Sequence, residues 1–200
     1  MAKIGVSKPK FAKYSESNGV VTYSGGGSLG KMVNVDVSID SSDDNNFYAD
    51  NGIAETDRQF SGGTFTANTD DLSHEVSKAI LGLKEQGLGE IAGVTDTEVK
   101  ELIYDDDQAM PYLGLGFIIK KKVKGVTKWR AVILTKAMFS VPNDAATTQG
   151  ETIDWQTEEL SATIMRDDTE KHAWKKEATF TTEAQAEAYL NNRLNIAEVS

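Results

Sequence analysis

Cysteine is absent from this 200-residue chain, and histidine and proline occur only two and three times. Without cysteine there can be no disulfide framework, no thiolate nucleophile and no cysteine-ligated metal. No apolar run approaches the ~20 residues that a membrane-spanning helix needs. The N-terminal segment MAKIGVSKPK also lacks the apolar core of a signal peptide. We therefore expect cytoplasmic synthesis and no association with a membrane.

Cations are scarce relative to anions, since 21 Lys and Arg residues face 31 Asp and Glu residues and the net charge is −10. Affinity for nucleic acid comes largely from neutralising phosphates with Lys and Arg. The balance therefore argues against a nucleic-acid-binding protein, although it suits a surface that stays close to DNA without binding it. The length predicts a single domain, residues 1–200, that buries roughly 70% of its unfolded surface.

Groups that carry catalysis or bind metals are few and dispersed. His74 falls off the apolar stripe of its predicted helix, and His172 is a candidate for partial burial beside Trp174. Neither histidine has a second ligand nearby, although the many carboxylates leave a catalytic dyad open. The acidic clusters at 43–46 and 105–107 lack the ligand spacing of a calcium loop, so they are interpreted as solvated loops. The sequence predicts no catalytic, cofactor-binding or metal-binding residue, and hence no enzyme.

A glycine-rich stretch matches two phosphate-binding motifs in part. Gly25 to Gly30 satisfies G-x-G-x-x-G, and with Lys31 it satisfies all but the last position of a P-loop, where Met32 replaces Ser or Thr. Both motifs require a helix next, because the helix N-terminus faces the phosphate. The alternation at 33–39 predicts a strand instead. We therefore interpret the stretch as a flexible glycine turn.

The most regular pattern lies at 112–141, where two apolar–polar alternations follow each other. Such alternation predicts two long antiparallel strands with one buried and one wetter face, within a larger sheet. The apolar positions of both limbs are odd, so we expect an odd-numbered, three-residue turn containing Gly125. On that register Trp129 is buried near Val123, and Lys120 and Lys122 lie on the opposite face.

Weaker patterns predict about seven strands and two helices. Residues 1–30 are predicted as an extended arm with short strand pieces at 20–23, and Asp50-Asn51-Gly52 as a turn. We expect the arm and the loop at 40–62 to be poorly ordered in a free subunit. The remaining predicted elements are strands at 33–39, 58–66, 94–104, 151–166 (with a bulge near 157–159) and 172–180, a helix at 71–83 capped by Thr69, Asp70 or Asp71, and a C-terminal helix at 182–195 opened by a Thr182–Gln185 capping box.

Read as whole segments, the chain resembles the major tail proteins, the tail-tube subunits of long-tailed phages that infect Gram-positive bacteria. The resemblance covers nearly the full length and rests on six segments: MAKIGVSKPKFAKY, DNGIAETDRQFSGGTFT, the helix ending Ile80-Leu81-Gly82, YLGLGFI, WRAVILTKAMF and TTQGETIDWQTEELSATI. It implies a mainly β (α+β) fold, an antiparallel β-sandwich or barrel of the tail-tube type with a flanking helix and a C-terminal helix.

The resemblance also implies a function. We expect a structural virion protein that self-assembles into stacked hexameric rings, forming the tail tube through which DNA is ejected without specific binding. Its implied partners are further copies of itself and the tape-measure, tail-terminator and distal tail or baseplate proteins. Its implied location is the virion tail, after synthesis in the host bacterial cytoplasm. The alternative is a monomeric β-sandwich binding module of a virion or cell surface.

Overall fold

The central alternating stretch forms the antiparallel hairpin that its pattern predicts. The computed structural model describes residues 2–96, 98–148 and 156–197. The strands of this part of the chain are β1 (Ala2–Ser17), β2 (Val20–Ser28), β3 (Met32–Ser41), β4 (Asn45–Ala49), β5 (Gly52–Asp57), β6 (Phe60–Thr69), β7 (Lys84–Gly87), β8 (Lys100–Ile103), β9 (Leu113–Val123), β10 (Val126–Phe139), β11 (Glu158–Met165) and β12 (Lys175–Phe180). The helices are α1 (His74–Leu81) and α2 (Glu183–Arg193). The protein is therefore mainly β.

Eight strands form one antiparallel sheet in the order β2-β1-β9-β10-β11-β6-β3, with β12 paired to β10 beside this path. Strand β10 has 14 residues and changes partner along its length. Its residues Trp129–Leu134 pair with β12, whereas Lys136–Phe139 pair with β11. The sheet therefore divides at this point into a β2-β1-β9-β10 part and a β11-β6-β3 part. Two small hairpins, β4–β5 and β7–β8, pair apart from it.

The two parts of the sheet pack against each other around the main core. Phe117 from β9 lies 6.0 Å from Phe65 of β6, measured between ring centroids. Phe65 also meets Phe139 edge-on, at 6.3 Å. Ile80 and Leu81 of α1 close one end of this core. Aromatic contacts thus join strands that are distant in sequence, and their burial supplies much of the driving force for folding.

A second core covers the other face of the central hairpin. Ile118, Ala131 and Ile133 point away from the main core and contact Ala186 and Leu190 of α2. Leu113 to Ile119 is therefore buried on both faces. The expected wetter face is wrong for this part of β9, because α2 covers it.

The turn of the central hairpin contains two residues, not the expected three. Val123 pairs with Val126, and the intervening Lys124 and Gly125 have φ of 49° and 85°. Two consecutive left-handed residues give the tight turn whose twist matches that of the strands. Paired positions therefore have opposite parity, and Phe117 faces the same side as Val132.

The shorter turn also changes the face of the hairpin on which Trp129 lies. Trp129 lies opposite Lys120, half-buried on the α2 face, so its expected burial in the main core and its separation from Lys120 are both wrong. The register then shifts between Leu134 and Ala137. Beyond this shift an odd-numbered residue again pairs with an odd-numbered one, as Ala137 does with Leu113. This irregularity allows Ala137 to return to the main core.

The N-terminal segment is a strand of the main sheet and not an arm with short strand pieces. Strand β1 runs for 16 residues between β2 and β9, and Phe11 and Ala12 are buried. Its register against β9 shifts between Ser7 and Lys10, where Lys8 has a φ of 55°. A bulge at this point accommodates Pro9, which has no N–H to donate to the ladder.

Other predictions hold with shifted boundaries. The strands at 33–39 and 58–66 are β3 and β6, and the turn at Asp50 and Asn51 joins β4 to β5. Helix α1 is capped by the Ser73 side chain rather than by the earlier candidates, and Gly82 ends it. At α2, Gln185 N–H donates to Thr182 Oγ1 as predicted. The segment at 151–155 of the predicted strand lies outside the described residues.

The central aromatic contact gives a direct stability test. Phe117 is 2% exposed, so Phe117→Ala should lower the free energy of unfolding by about 3–5 kcal/mol through lost burial and a residual cavity. Phe47→Ala is the matched control, because Phe47 is 64% exposed and its removal should change stability by less than about 0.5 kcal/mol. Urea denaturation of the dilute protein measures both. An equal loss of stability in the two variants would contradict the burial of Phe117 between the two parts of the sheet.

Candidate interaction surfaces

The described residues hold no side-chain cluster with the composition of a metal site. No group of three or more His, Cys, Asp or Glu residues there could hold a metal ion. His74 is exposed as expected, whereas His172 is also exposed and not half-buried. Gly25 and Gly26 belong to β2 rather than to a flexible turn, and the strand β3 follows them. The most distinctive features of the described surface are the β4–β5 hairpin, a cleft beside β3 and two sheet edges.

No helix of the described ranges combines the length and the apolar character that crossing a membrane requires.

The hairpin β4–β5 presents large apolar side chains to solvent. Phe47, Tyr48 and Ile53 are 64%, 65% and 58% exposed. Tyr48 pairs across the hairpin with Ile53, whereas the preceding Phe47 pairs with Glu55. Neighbouring residues of a strand point to opposite faces, so both faces of the hairpin carry exposed apolar surface.

This hairpin is also strongly acidic. Residues 43–57 contain five carboxylates and no Lys or Arg, namely Asp43, Asp44, Asp50, Glu55 and Asp57. Of these five, Asp44 pairs with Arg58, which lies just beyond the hairpin. The hairpin therefore combines an apolar surface with a concentrated negative charge.

A cleft of roughly 400 Å³ opens between β3 and the opposing strands β1, β9 and β10. Such a volume falls within the ~300–1,000 Å³ typical of binding sites. Four apolar side chains line each wall: Val33, Val35, Val37 and Ile39 on one, and Val6, Phe117, Ile119 and Val132 on the other. Apolar side chains therefore lie on both of its long sides, together with polar ones such as Asn34.

Cations surround this cleft in an otherwise acidic protein. Lys3, Arg130 and Lys175 line it, against the single carboxylate of Asp36. Lys175 Nζ lies 2.9 Å from Glu177, and Arg130 Nη1 lies 3.8 Å from the same carboxylate. The hydrogen bond from Lys175 is the main cause that lowers the pKa of Glu177. Arg130 Nε is buried without a hydrogen-bond partner.

The positive charge extends along the turn end of the central hairpin. Residues 120–130 carry six cations and no Asp or Glu: Lys120, Lys121, Lys122, Lys124, Lys128 and Arg130. Since the whole chain has 21 Lys and Arg, this short segment holds more than a quarter of them. Negative charge is thus concentrated in the β4–β5 hairpin, and positive charge at the turn end of the β9–β10 hairpin.

Two sheet edges offer a further surface. Strands β2 and β3 stand at the ends of the main sheet, and each pairs with a single strand among the described residues. Val20 of β2 and Val33 of β3 are exposed. An unpaired edge exposes N–H and C=O groups that can pair with another chain.

Lys136 forms a partly exposed ion pair that joins three segments. Its Nζ lies 2.6 Å from Asp168 Oδ2 and sits over the rings of Tyr14 and Tyr112, at 5.0 and 4.6 Å. Tyr14 Oη donates to the same carboxylate at 2.8 Å. Lys136 and then Tyr14 lower the pKa of Asp168, whereas burial raises the pKa of Tyr14 to about 12. The cluster fixes β1 to β10 and to the segment after β11.

No protein-family model matches the chain, and no curated protein matches it. The candidate surfaces are therefore assigned from geometry and chemistry. Sequence reasoning missed the cleft, whose walls come from residues more than a hundred positions apart, such as Val6 and Val132. It could have found the hairpin, since Phe47 and Tyr48 form an apolar pair between acidic residues on both sides.

The ion pair between Lys136 and Asp168 should contribute a small part of the free energy of unfolding, and this part should be lost in acid. Because the folded pKa of Asp168 lies below the unfolded value of ~3.9, its contribution is present above that pH and lost as pH falls through the folded pKa. Asp168→Asn should lower stability at neutral pH by less than about 1 kcal/mol, since the carboxylate is partly exposed. Chemical denaturation at neutral and acidic pH measures the difference.

The control uses the same substitution without its partner. In a Lys136→Met background, Asp168→Asn should have a smaller effect at neutral pH, because the main cause of the lowered pKa has been removed. An undiminished effect in that background would show that Lys136 does not stabilise the charged form of Asp168.

Proposed function

We propose that the protein is a structural subunit that self-assembles, through stacked hexameric rings, into the tail tube of a long-tailed phage. The observation that carries this proposal is the β4–β5 hairpin, whose apolar side chains are exposed on both faces. Contiguous apolar surface of this kind marks a site of interaction in a protein that must otherwise stay soluble. The tail-tube type of β-sandwich and the hexameric ring come from the sequence resemblance.

The layout of the sheet supports assembly. Its two ends, β2 and β3, are both unpaired on one side among the described strands. Copies placed side by side can close such edges into a barrel, which leaves no edge exposed. An interface that joins one surface to a different surface of the next copy generates a ring when the rotation closes.

The charge supports a conduit for DNA. With a net charge of −10 per copy, a tube of these subunits repels the phosphates that pass through it. Repulsion favours passage over binding. In this proposal the subunit meets the tape-measure, tail-terminator and distal tail or baseplate proteins at the ends of the tube, in the virion tail.

A second candidate function is a monomeric β-sandwich binding module, which the apolar cleft favours. The cleft between β3 and β1 has the size of a small-molecule site and carries cations at its rim. A module of this kind remains monomeric and binds a ligand there. The assembly state therefore separates the two functions.

Self-assembly is the test of the proposed function. Light scattering and negative-stain microscopy over a concentration series should show rings or tubes at high concentration. Replacing Tyr48 and Ile53 together with Ser should raise the concentration needed for assembly at least tenfold, because both apolar side chains are exposed on one face of the hairpin.

The control replaces an exposed apolar residue elsewhere. Ile91→Ser, in the segment after β7, should leave the assembly threshold within about twofold of the original, since that residue lies outside the hairpin and the sheet edges. A protein that stays strictly monomeric at millimolar concentration, with no ordered polymer after seeding, would overturn the proposed function and leave the binding module.

A further inference from the structure

We propose that the cleft between β3 and the β1-β9-β10 layer binds a small amphipathic anion, an aliphatic chain that ends in a carboxylate. The inference goes beyond the proposed function, because it concerns each subunit by itself and does not require assembly. It combines two features that lie side by side on one face of three neighbouring strands. One is the apolar part of the cleft, and the other is a row of lysines at its end.

Three lysines stand in one row across these strands. Lys121 of β9 pairs with Lys3 of β1 on one side and with Lys128 of β10 on the other. Directly paired residues point to the same face, and like charges in that position destabilise a sheet. No described carboxylate forms an ion pair with any of the three. The described part of the fold therefore holds a concentrated positive charge that it does not neutralise itself.

Arg130 lies between this row and the apolar part of the cleft. It pairs with Ile119, which stands two residues before Lys121 on the same strand. On the other side of this pair, Val132 pairs with Phe117. Residues two apart on a strand share a face and lie about 7 Å from each other. Along the strands, the side chains of this face therefore change from apolar to cationic over a distance of about 14 Å.

The guanidinium of Arg130 has unused capacity to bind an anion. Its side chain is 24% exposed, its Nε is buried, and no described residue accepts a hydrogen bond from this Nε. Glu177 lies 3.8 Å from Nη1, which exceeds the length of a hydrogen bond, and it already pairs with Lys175 at 2.9 Å. A guanidinium binds a carboxylate best through two parallel N–H donors. A ligand carboxylate here would give Arg130 the bidentate partner that the described residues do not supply.

The cleft as a whole suits a molecule with an apolar end and an anionic end. Its volume of roughly 400 Å³ falls in the range of small-molecule sites. Its apolar walls would remove an aliphatic chain from water, and each buried CH₂ group favours binding. The carboxylates of Asp36 and Glu177 are outnumbered by the cations at or beside the cleft, which are Lys3, Lys121, Lys128, Arg130 and Lys175. This balance selects an anion over a neutral or cationic amphiphile.

Octanoate is the probe that tests the proposal, and saturation-transfer NMR on the dilute protein measures its binding. We expect saturable binding with a dissociation constant of about 1 mM or lower. Acetate, which lacks the chain, and octylammonium, which reverses the charge, should each bind at least about tenfold more weakly. Acetate that bound as tightly as octanoate would overturn the role of the apolar walls. Octylammonium that bound as tightly would overturn the selection of an anion.

Substitutions of Arg130 locate the headgroup. Arg130→Met keeps an apolar stem but removes the guanidinium, so it should weaken octanoate binding by about tenfold or more. Arg130→Lys restores the charge without the two parallel donors, so its affinity should lie between those of the original protein and Arg130→Met. Lys120→Met is the matched control, because Lys120 is an exposed cation on the opposite face of the same hairpin. Its affinity should stay within about twofold of the original.

Lys121→Gln separates a binding role from a structural one. Removal of the middle charge of the row should weaken octanoate binding several-fold. At low salt it should also raise the melting temperature of the ligand-free protein by about 1–3 °C, because it relieves repulsion between neighbouring lysines. A variant that binds octanoate normally, or that melts at a lower temperature without ligand, would contradict the role of the lysine row.

Ligand binding and assembly can fail independently. Tubes formed by a protein that shows no saturable octanoate binding up to about 10 mM would overturn this inference and leave the proposed function. Binding that is lost in Arg130→Met and kept in Lys120→Met, in a protein that never assembles, would support this inference and overturn the tube. An equal loss of binding in both variants would overturn the cleft as the site.

Discussion

The fold depends on covering both faces of the β9–β10 hairpin. The β11-β6-β3 layer covers one face and α2 covers the other, so residues 113–119 and 131–135 are buried as completely as the strands of a parallel sheet. Two glycines make the second contact possible. A Cβ at Gly114 would lie 2.4 Å from the Tyr23 ring, and one at Gly116 would lie 3.0 Å from Leu194. The absence of a side chain at these two positions leaves room for Tyr23 of β2 and for Leu194 at the end of α2.

These same glycines explain why the sequence predicts the hairpin but misplaces its faces. Alternation located both strands, yet Gly114 and Gly116 look like solvent positions until α2 is known to lie over them. The face on which Trp129 lies depends on whether the turn has two or three residues. Nothing in the sequence required Lys124 to adopt the left-handed conformation that the two-residue turn needs. Apolar–polar alternation predicts where a strand lies, but it does not predict which elements cover each face of that strand.

Elements held by distant partners were the least predictable. Strand β1 lacks a strong pattern of its own, and it forms because it pairs with β9 more than a hundred residues away. The helix α2, by contrast, was predicted closely because its cap is local, with Thr182 accepting from Gln185. The same distinction applies to the candidate surfaces. The β4–β5 hairpin is formed by one short segment and can be recognised in the sequence. The cleft, by contrast, forms only when β1, β3 and β9 have come together.

The distribution of charge matters more here than its total. A net charge of −10 makes identical subunits repel one another, and this repulsion opposes any assembly. Assembly is nonetheless favourable if the charges that meet at the contact are of opposite sign, because electrostatic interactions beyond about 8 Å are screened at physiological salt. The acidic hairpin at 43–57 and the basic segment at 120–130 carry charges of opposite sign. In the proposed assembly, long-range repulsion therefore opposes contacts between like-charged surfaces, whereas contacts between surfaces of opposite sign are favoured.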